Sequence, residues 1–241
     1  MTDYPLKLET KARLNHVSVA TLSTALFKRG LRHQVIQDVR PVGAKGRNMV
    51  GPAFTLRYIP AREDRNTLAV FRNPEHPQRH AIETCPPGSV MVIDSRRDPR
   101  VASAGDILVS RLMVRGVAGI VTDGGFRDAM NIARLEMPAY HSRASSPTNL
   151  TNNEAIDINV PIGCGDVAVF PGDILVGDDD SVIVIPAELA DEVAEEATEM
   201  TAYEDFALEQ VMRGASIIGL YPATKEENLA RFAEWRRANG R

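Results

Sequence analysis

The chain has 241 residues, 44% apolar and 25% charged, which is enough apolar material for a full core in one large domain or two small ones. With 28 Lys+Arg against 32 Asp+Glu the formal charge is -4, which argues against a binder held to nucleic acid by a dense positive surface. Cys85 and Cys164 form no C-x-x-C pair, the first 14 residues hold no continuous apolar stretch, and no run approaches the ~18 apolar residues of a membrane span, so the expected setting is a reducing cytoplasm without secretion or membrane insertion.

In chain order, Val19, Leu22, Ala25 and Leu26 recur at helical spacing, and Ser18 and Gly30 are suited to cap a helix over Val17 to Arg29. A Pro/Gly/basic stretch from Arg40 to Arg47 leads into a strand over Met49 to Ile59, with Gly51-Pro52 read as a break or bulge. Pro77 to Glu83 reads as a short helix, and Val90 to Asp94 as a buried strand. Ile107, Leu108, Leu112 and Met113 form a helical stripe stopped by Gly116, and Val117 to Val121 is the next buried strand. After Asp123-Gly124-Gly125 come a short helix to Leu135, a strand at Pro138 to His141 and a loop from Ser142 to Asn153. Ile156 to Val160, Val167 to Phe170, Ile174 to Val176 and Val182 to Ile185 read as short strands of an antiparallel sheet. A long helix to about Arg213 and an amphipathic one over Ala223 to Arg237 close the chain. The pentapeptide Gly-Asp-Ile-Leu-Val occurs at both 105–109 and 172–176, once before a helical pattern and once between strand signals, so the copies are read as separate elements.

The richest chemistry lies between Gly105 and Asp128. A buried strand ends in Asp123-Gly124-Gly125 and delivers Arg127, a planar fork for a carboxylate, and Asp128, a hard oxygen donor for Mg²⁺ or Mn²⁺. The helix headed by Asp106 runs antiparallel to the following strand, so its free N–H groups and Asp106 are expected at the same end as Asp128, in one pocket.

Asp106, twenty intervening residues and then Arg127-Asp128 resemble the D-x20-R-D signature of the RraA-like class II pyruvate aldolases, typified by 4-hydroxy-4-methyl-2-oxoglutarate aldolase. The blocks Arg115 to Gly124, Phe170 to Asp173 and Asp178 to Pro186 are similar to that family, and the resemblance covers roughly residues 15 to 220. It implies that Asp128 ligates the metal and Arg127 binds substrate. It also implies that backbone amides of Gly105, Asp106, Ile107 and Leu108 hold the pyruvoyl carboxylate, and that Asp106 touches metal-bound water. The swivelling β/β/α fold, a trimer or a hexamer of trimers, and sites between subunits are further implications. The family name comes from a regulator that inhibits an RNA-degrading endonuclease, and members without aldolase activity tend to lose the carboxylate matched by Asp106. One departure is Asn131, where many relatives carry an acid.

Retro-aldol cleavage of a 4-hydroxy-2-oxo acid generates a pyruvate enolate, which needs a Schiff-base lysine or a metal. None of Lys7, Lys11, Lys28, Lys45 and Lys225 lies in an apolar strand, so the metal route fits better, with Arg127 steadying enolate charge and Asp106 taking the C4 hydroxyl proton. Oxaloacetate decarboxylation would follow from the same stabilisation. His76 and His80 lack a third zinc ligand, Asp178-Asp179-Asp180 reads as a hairpin turn, and His141 is either a pocket residue or a core histidine. The basic residues Lys28, Arg29, Arg32, Arg40, Lys45 and Arg47 read as a solvated face or subunit contact. The helix with Glu195, Glu196, Glu199 and Glu204 is a candidate to lend a carboxylate to a neighbour, and Leu229, Phe232 and Trp235 to pack against one. The resulting expectation is an α/β single domain over 1–241 with mixed sheets and surrounding helices, comprising an N-terminal arm (1–14) and a C-terminal helical extension (223–241). Its expected activity is a metal-dependent lyase releasing pyruvate from methyl-oxoglutarate-type or 2-keto-3-deoxy sugar acids, and the alternative is a non-catalytic regulator.

Overall fold

Runs such as Val90-Met91-Val92-Ile93 have no polar alternation, so both faces of such a strand need cover, and they form the centre of the main sheet. The computed structural model describes residues 5–43 and 45–240; residues 1–4 of the expected arm lie outside the described residues. In chain order, α1 (Leu8–Leu14) and α2 (Val19–Lys28) precede β1 (Arg40–Pro41) and β2 (Met49–Pro60). Then follow α3 (Pro77–Thr84), β3 (Val90–Asp94), β4 (Ala102–Ala104), α4 (Asp106–Val114), β5 (Gly119–Thr122) and β6 (Gly125–Phe126). The chain continues through α5 (Ala129–Ala133), β7 (Ala139–His141), β8 (Arg143–Ala144), β9 (Asn153–Ile158), β10 (Ile162–Cys164) and β11 (Val167–Val169). It ends with β12 (Ile174–Gly177), β13 (Val182–Ile185), α6 (Ala190–Met212) and α7 (Glu226–Asn239).

Strands β7, β5, β3 and β2 lie side by side and parallel, with β1 antiparallel on β7 and β12 then β13 antiparallel beyond β2. β9 pairs antiparallel with the far end of β2, across a bulge at Arg57/Tyr58. The strands of the second half therefore extend the first half's sheet instead of forming one of their own. Only β10 and β11 stand apart as a hairpin, and β4, β6 and β8 form a small parallel sheet. Gly51-Pro52 does not break β2. The glycine is needed because a Cβ there would stand 2.3 Å from the Gly88 carbonyl oxygen.

Alternate side chains explain the layering. Met91, Ile93 and Ile120 pack with Ala81 and Ile82 of α3, Val109 and Leu112 of α4 and Ile132 of α5. Val90, Val92 and Val121 pack with Ile162, Cys164, Val167 and Val169 of the β10–β11 hairpin. The order hairpin, sheet, helices is the α/β mixed-sheet architecture expected from the sequence. A further cluster joins α1, α2 and α6 to Val50, Ile174, Val176, Ile183 and Ile185. The two Gly-Asp-Ile-Leu-Val copies do diverge, the first entering α4 and the second β12.

Two packing expectations change. Ile107 does not join the buried stripe of α4: it is 74% exposed, and Val109 and Leu112 face the core. Phe232 and Trp235 of α7 pack against Phe206 of α6 within the chain, where both are half-buried, and Trp235 Nε1 donates to Glu209 at 2.6 Å; Leu229 remains exposed. Both cysteines are free and buried, and no helix among the described residues is long and apolar enough to cross a membrane.

Candidate active site

The site grows from the register of the small sheet. β4 pairs with β6 so that Ala104 lies opposite Phe126, and the Arg127 N–H donates to the Ala104 carbonyl at 3.1 Å. The next residues, Gly105 and Arg127, are thereby brought together. A Cβ on Gly105 would stand 2.7 Å from Arg127 Nε and 3.0 Å from Asp128 Oδ2. Its φ of -124° suits any residue, so close approach and not backbone conformation requires glycine. Gly105 also occupies the N-cap of α4 without a side chain to cap it, so the first-turn N–H groups have no side-chain cap, and Asp106 is the acidic residue in that turn.

Asp123 anchors the loop below. Its carboxylate accepts N–H bonds from Ser95 at 2.7 Å, Arg97 at 3.1 Å and Gly165 at 3.2 Å, yet burial pushes its pKa up to about 6. Gly124 must lack a side chain because a Cβ would meet Ser95 Cβ at 2.6 Å. Asp128 then takes a left-handed conformation, φ 54°, and begins α5. Its Oδ2 lies 3.3 Å from Arg127 Nε. One helical turn later Asn131 donates from Nδ2 to Asp106 Oδ2 at 2.8 Å, tying the head of α4 to α5.

A cavity of about 180 Å³ opens here, and its wall includes Gly105, Ile107, Leu108 and Arg127 together with Gln78 and Arg79 of α3. Asp106 and Asp128 are not among its lining residues; they stand beside it, Asp128 against Arg127 and Asp106 against Asn131. Gln78 and Arg79 were not singled out by the sequence. Their helix was legible, but no local motif marks them, because the packing of α3 on β4 is a long-range matter. Burial, with Arg127 as a lesser cause, lowers the pKa of the Arg79 guanidinium, whose Cζ sits 4.5 Å from the Phe71 ring centre.

The donor set constrains any metal. Among the described residues no three His, Cys, Asp or Glu side chains cluster as a metal cage. A structural zinc site is therefore not built here. One half-exposed carboxylate at Asp128, with Asp106 nearby, does fit a Mg²⁺-like ion, which takes one or two carboxylates and completes its shell with water and substrate oxygens.

The remaining candidates have contacts of their own within the chain. His141 is buried and stacked on Phe126, ring centres 5.5 Å apart, and burial lowers its pKa to about 4. His76 packs on Phe71, while His80 lies 3.5 Å from Glu75. The Asp178 side chain accepts from the N–H groups of Asp180, Ser181 and, at the head of α2, Val19. The basic stretch is dispersed: Lys28 and Arg29 pair with Glu196, Lys45 donates to the Ala133 and Leu135 carbonyls, and Arg47 to that of Glu136. Glu199 pairs with Arg236, and Glu204 accepts from Thr21 and Tyr221.

The family model for RraA-like proteins, described as Aldolase/RraA, matches residues 19–184. A protein from Halalkalibacterium halodurans named "Putative 4-hydroxy-4-methyl-2-oxoglutarate aldolase" is 35% identical over 161 residues, which is 65% of this chain and 69% of that one. Protein DlpA of Legionella pneumophila is 25% identical over 205 residues, 85% of this chain but only 32% of its own length. The crystal structure of Streptomyces coelicolor RraAS2, described as an unusual member of the RNase ES inhibitor RraA protein family, superposes with a TM-score of 0.73 at 29% identity, covering 84% of this chain and 97% of that one. With the family model spanning Asp106, Arg127 and Asp128, the chain belongs to the RraA-like family, Aldolase/RraA.

Proposed function

We propose that this protein is a divalent-metal-dependent lyase that cleaves 4-hydroxy-2-oxo acids to pyruvate and a carbonyl product, with oxaloacetate decarboxylation as a side activity. The observation that carries this reading is the convergence at Gly105, where the missing Cβ lets Arg127 and Asp128 approach the uncapped head of α4. A substrate carboxylate is received by the first-turn N–H groups, which need no reorganisation to bind an anion. Arg127 directs its fork at the oxygen on which charge grows. Asp106, oriented by Asn131, accepts the C4 hydroxyl proton; the O–H electrons form the product carbonyl, the C3–C4 bond breaks, and its electron pair becomes the enolate. Asp128, with Asp106 through water, would hold Mg²⁺ or Mn²⁺, which supplies Lewis-acid stabilisation of that enolate. No lysine lines the cavity, which supports this route over a Schiff base.

The test is a coupled pyruvate assay across a panel of hydroxy-oxo acids with Mg²⁺ or Mn²⁺. Metal-dependent turnover that Asp128→Ala and Arg127→Ala abolish supports the lyase. Inactivity on every substrate, together with inhibition of an RNA-degrading endonuclease, would favour the regulator reading that the RraAS2 neighbour keeps open. Assembly as a trimer or hexamer belongs to the same proposal, and sedimentation equilibrium showing a monomer would contradict it.

A further inference from the structure

The cavity carries more positive charge than one carboxylate needs. Arg79 and Arg127 both line it, and among the described residues no acidic one does. Arg127 has Asp128 beside it, whereas among the described residues no carboxylate forms an ion pair with Arg79. A half-buried guanidinium close enough to a second one to feel its charge is costly unless an anion joins them. The Arg79 Cζ lies over the Phe71 ring, 4.5 Å from its centre, and its guanidinium offers the planar fork of N–H donors that suits a carboxylate. Beside it, Gln78 is 3% exposed and is held in place by its Nε2, which donates to Tyr58 Oη at 3.0 Å and to the Ser103 carbonyl at 2.8 Å.

We propose that Arg79 is a specificity-determining residue that binds a second carboxylate, at the end of the substrate remote from the 2-oxo acid group. The site then selects short 2-oxo dicarboxylates over 2-oxo acids with a neutral tail, including the sugar acids. The volume of about 180 Å³ agrees, being below the roughly 300–1,000 Å³ of pockets for larger ligands. The inference rests on the lyase reading for its reaction but on the cavity alone for its binding preference.

The experiment therefore measures binding. Calorimetry with the full chain in Mg²⁺ compares 2-oxoglutarate with 2-oxopentanoate, which keeps the 2-oxo acid head and the five-carbon length but lacks the second carboxylate. The wild type should bind 2-oxoglutarate about 30-fold or more tightly than 2-oxopentanoate, as expected for a desolvated charge pair. Arg79→Gln should collapse that ratio toward one, and Arg79→Lys should restore part of it. Equal affinities in the wild type, or a ratio that survives Arg79→Gln, would overturn the proposal. A preference for the dianion without any pyruvate release would leave the proposal standing and sink the lyase, so the two failures are distinguishable.

Discussion

At Gly105 the missing side chain is functional space. Gly105→Ala places a methyl 2.7 Å from Arg127 Nε and 2.9 Å from its Cγ, and the guanidinium must move. Since a 1 Å displacement can cost on the order of 10²-fold, we expect pyruvate release to lose at least about 10-fold in kcat/KM with the melting transition nearly intact; wild-type kinetics would contradict the crowding. The Asn131 contact makes a second prediction. Asn131→Ala should lower kcat/KM about 10-fold or more, the worth of a hydrogen bond to a charged group, yet have no further effect in an Asp106→Ala background. Additive losses would show that Asn131 acts elsewhere. Asp106, Arg127 and Asp128 were legible in the sequence because they sit in one short, regularly spaced stretch. Asn131 was visible only as a departure from the resemblance, and its bond to Asp106 could not be read without the packing of α5 on α4.

At the scale of elements, legibility follows side-chain pattern. β3 and β5 stood out because both faces are covered, so positions 90–93 and 119–121 are all nonpolar. β4, β6 and β8 are two or three residues long and carry no period, so the small sheet that sets the Gly105–Arg127 contact left no signal. The antiparallel style of the second half was real, but β12 and β9 pair with β2, and sheet membership is a long-range property that local pattern does not encode. The central strands should dominate stability: Ile93 is fully buried against the helices, and Ile93→Ala should cost about 2–5 kcal/mol in denaturant unfolding. By contrast Ser18→Ala, which removes the N-cap acceptor of the Thr21 N–H, should cost about 1 kcal/mol. Equal costs would mean the core assignment is wrong.

For the whole molecule, pH acts on two buried or braced acids with opposite signs. Asp98 is held below the ordinary carboxylate range by hydrogen bonds from Arg100, so it contributes stability above its unfolded pKa of 3.8 that is lost as pH falls through its lower folded value. Asp123 is raised to about 6 by burial, so its contribution is present below 3.8 and lost as pH rises through about 6. Asp123→Asn removes that second titration. Its stability should therefore rise more steeply than the wild type's between pH 4 and pH 7, by roughly 2–3 kcal/mol across the interval; parallel curves would contradict a raised pKa. The net charge of -4 says nothing of this division of labour, in which Asp106 and Asp128 stand beside the cavity while Asp98 and Asp123 brace loops. The most direct test of the central claim is the rate of pyruvate release from oxaloacetate by the wild type and by Asp128→Ala, each with and without added Mg²⁺. Mg²⁺-dependent release by the wild type and none above background by the variant is the expected result; release that is indifferent to Mg²⁺ or survives in Asp128→Ala would overturn the metal-dependent lyase.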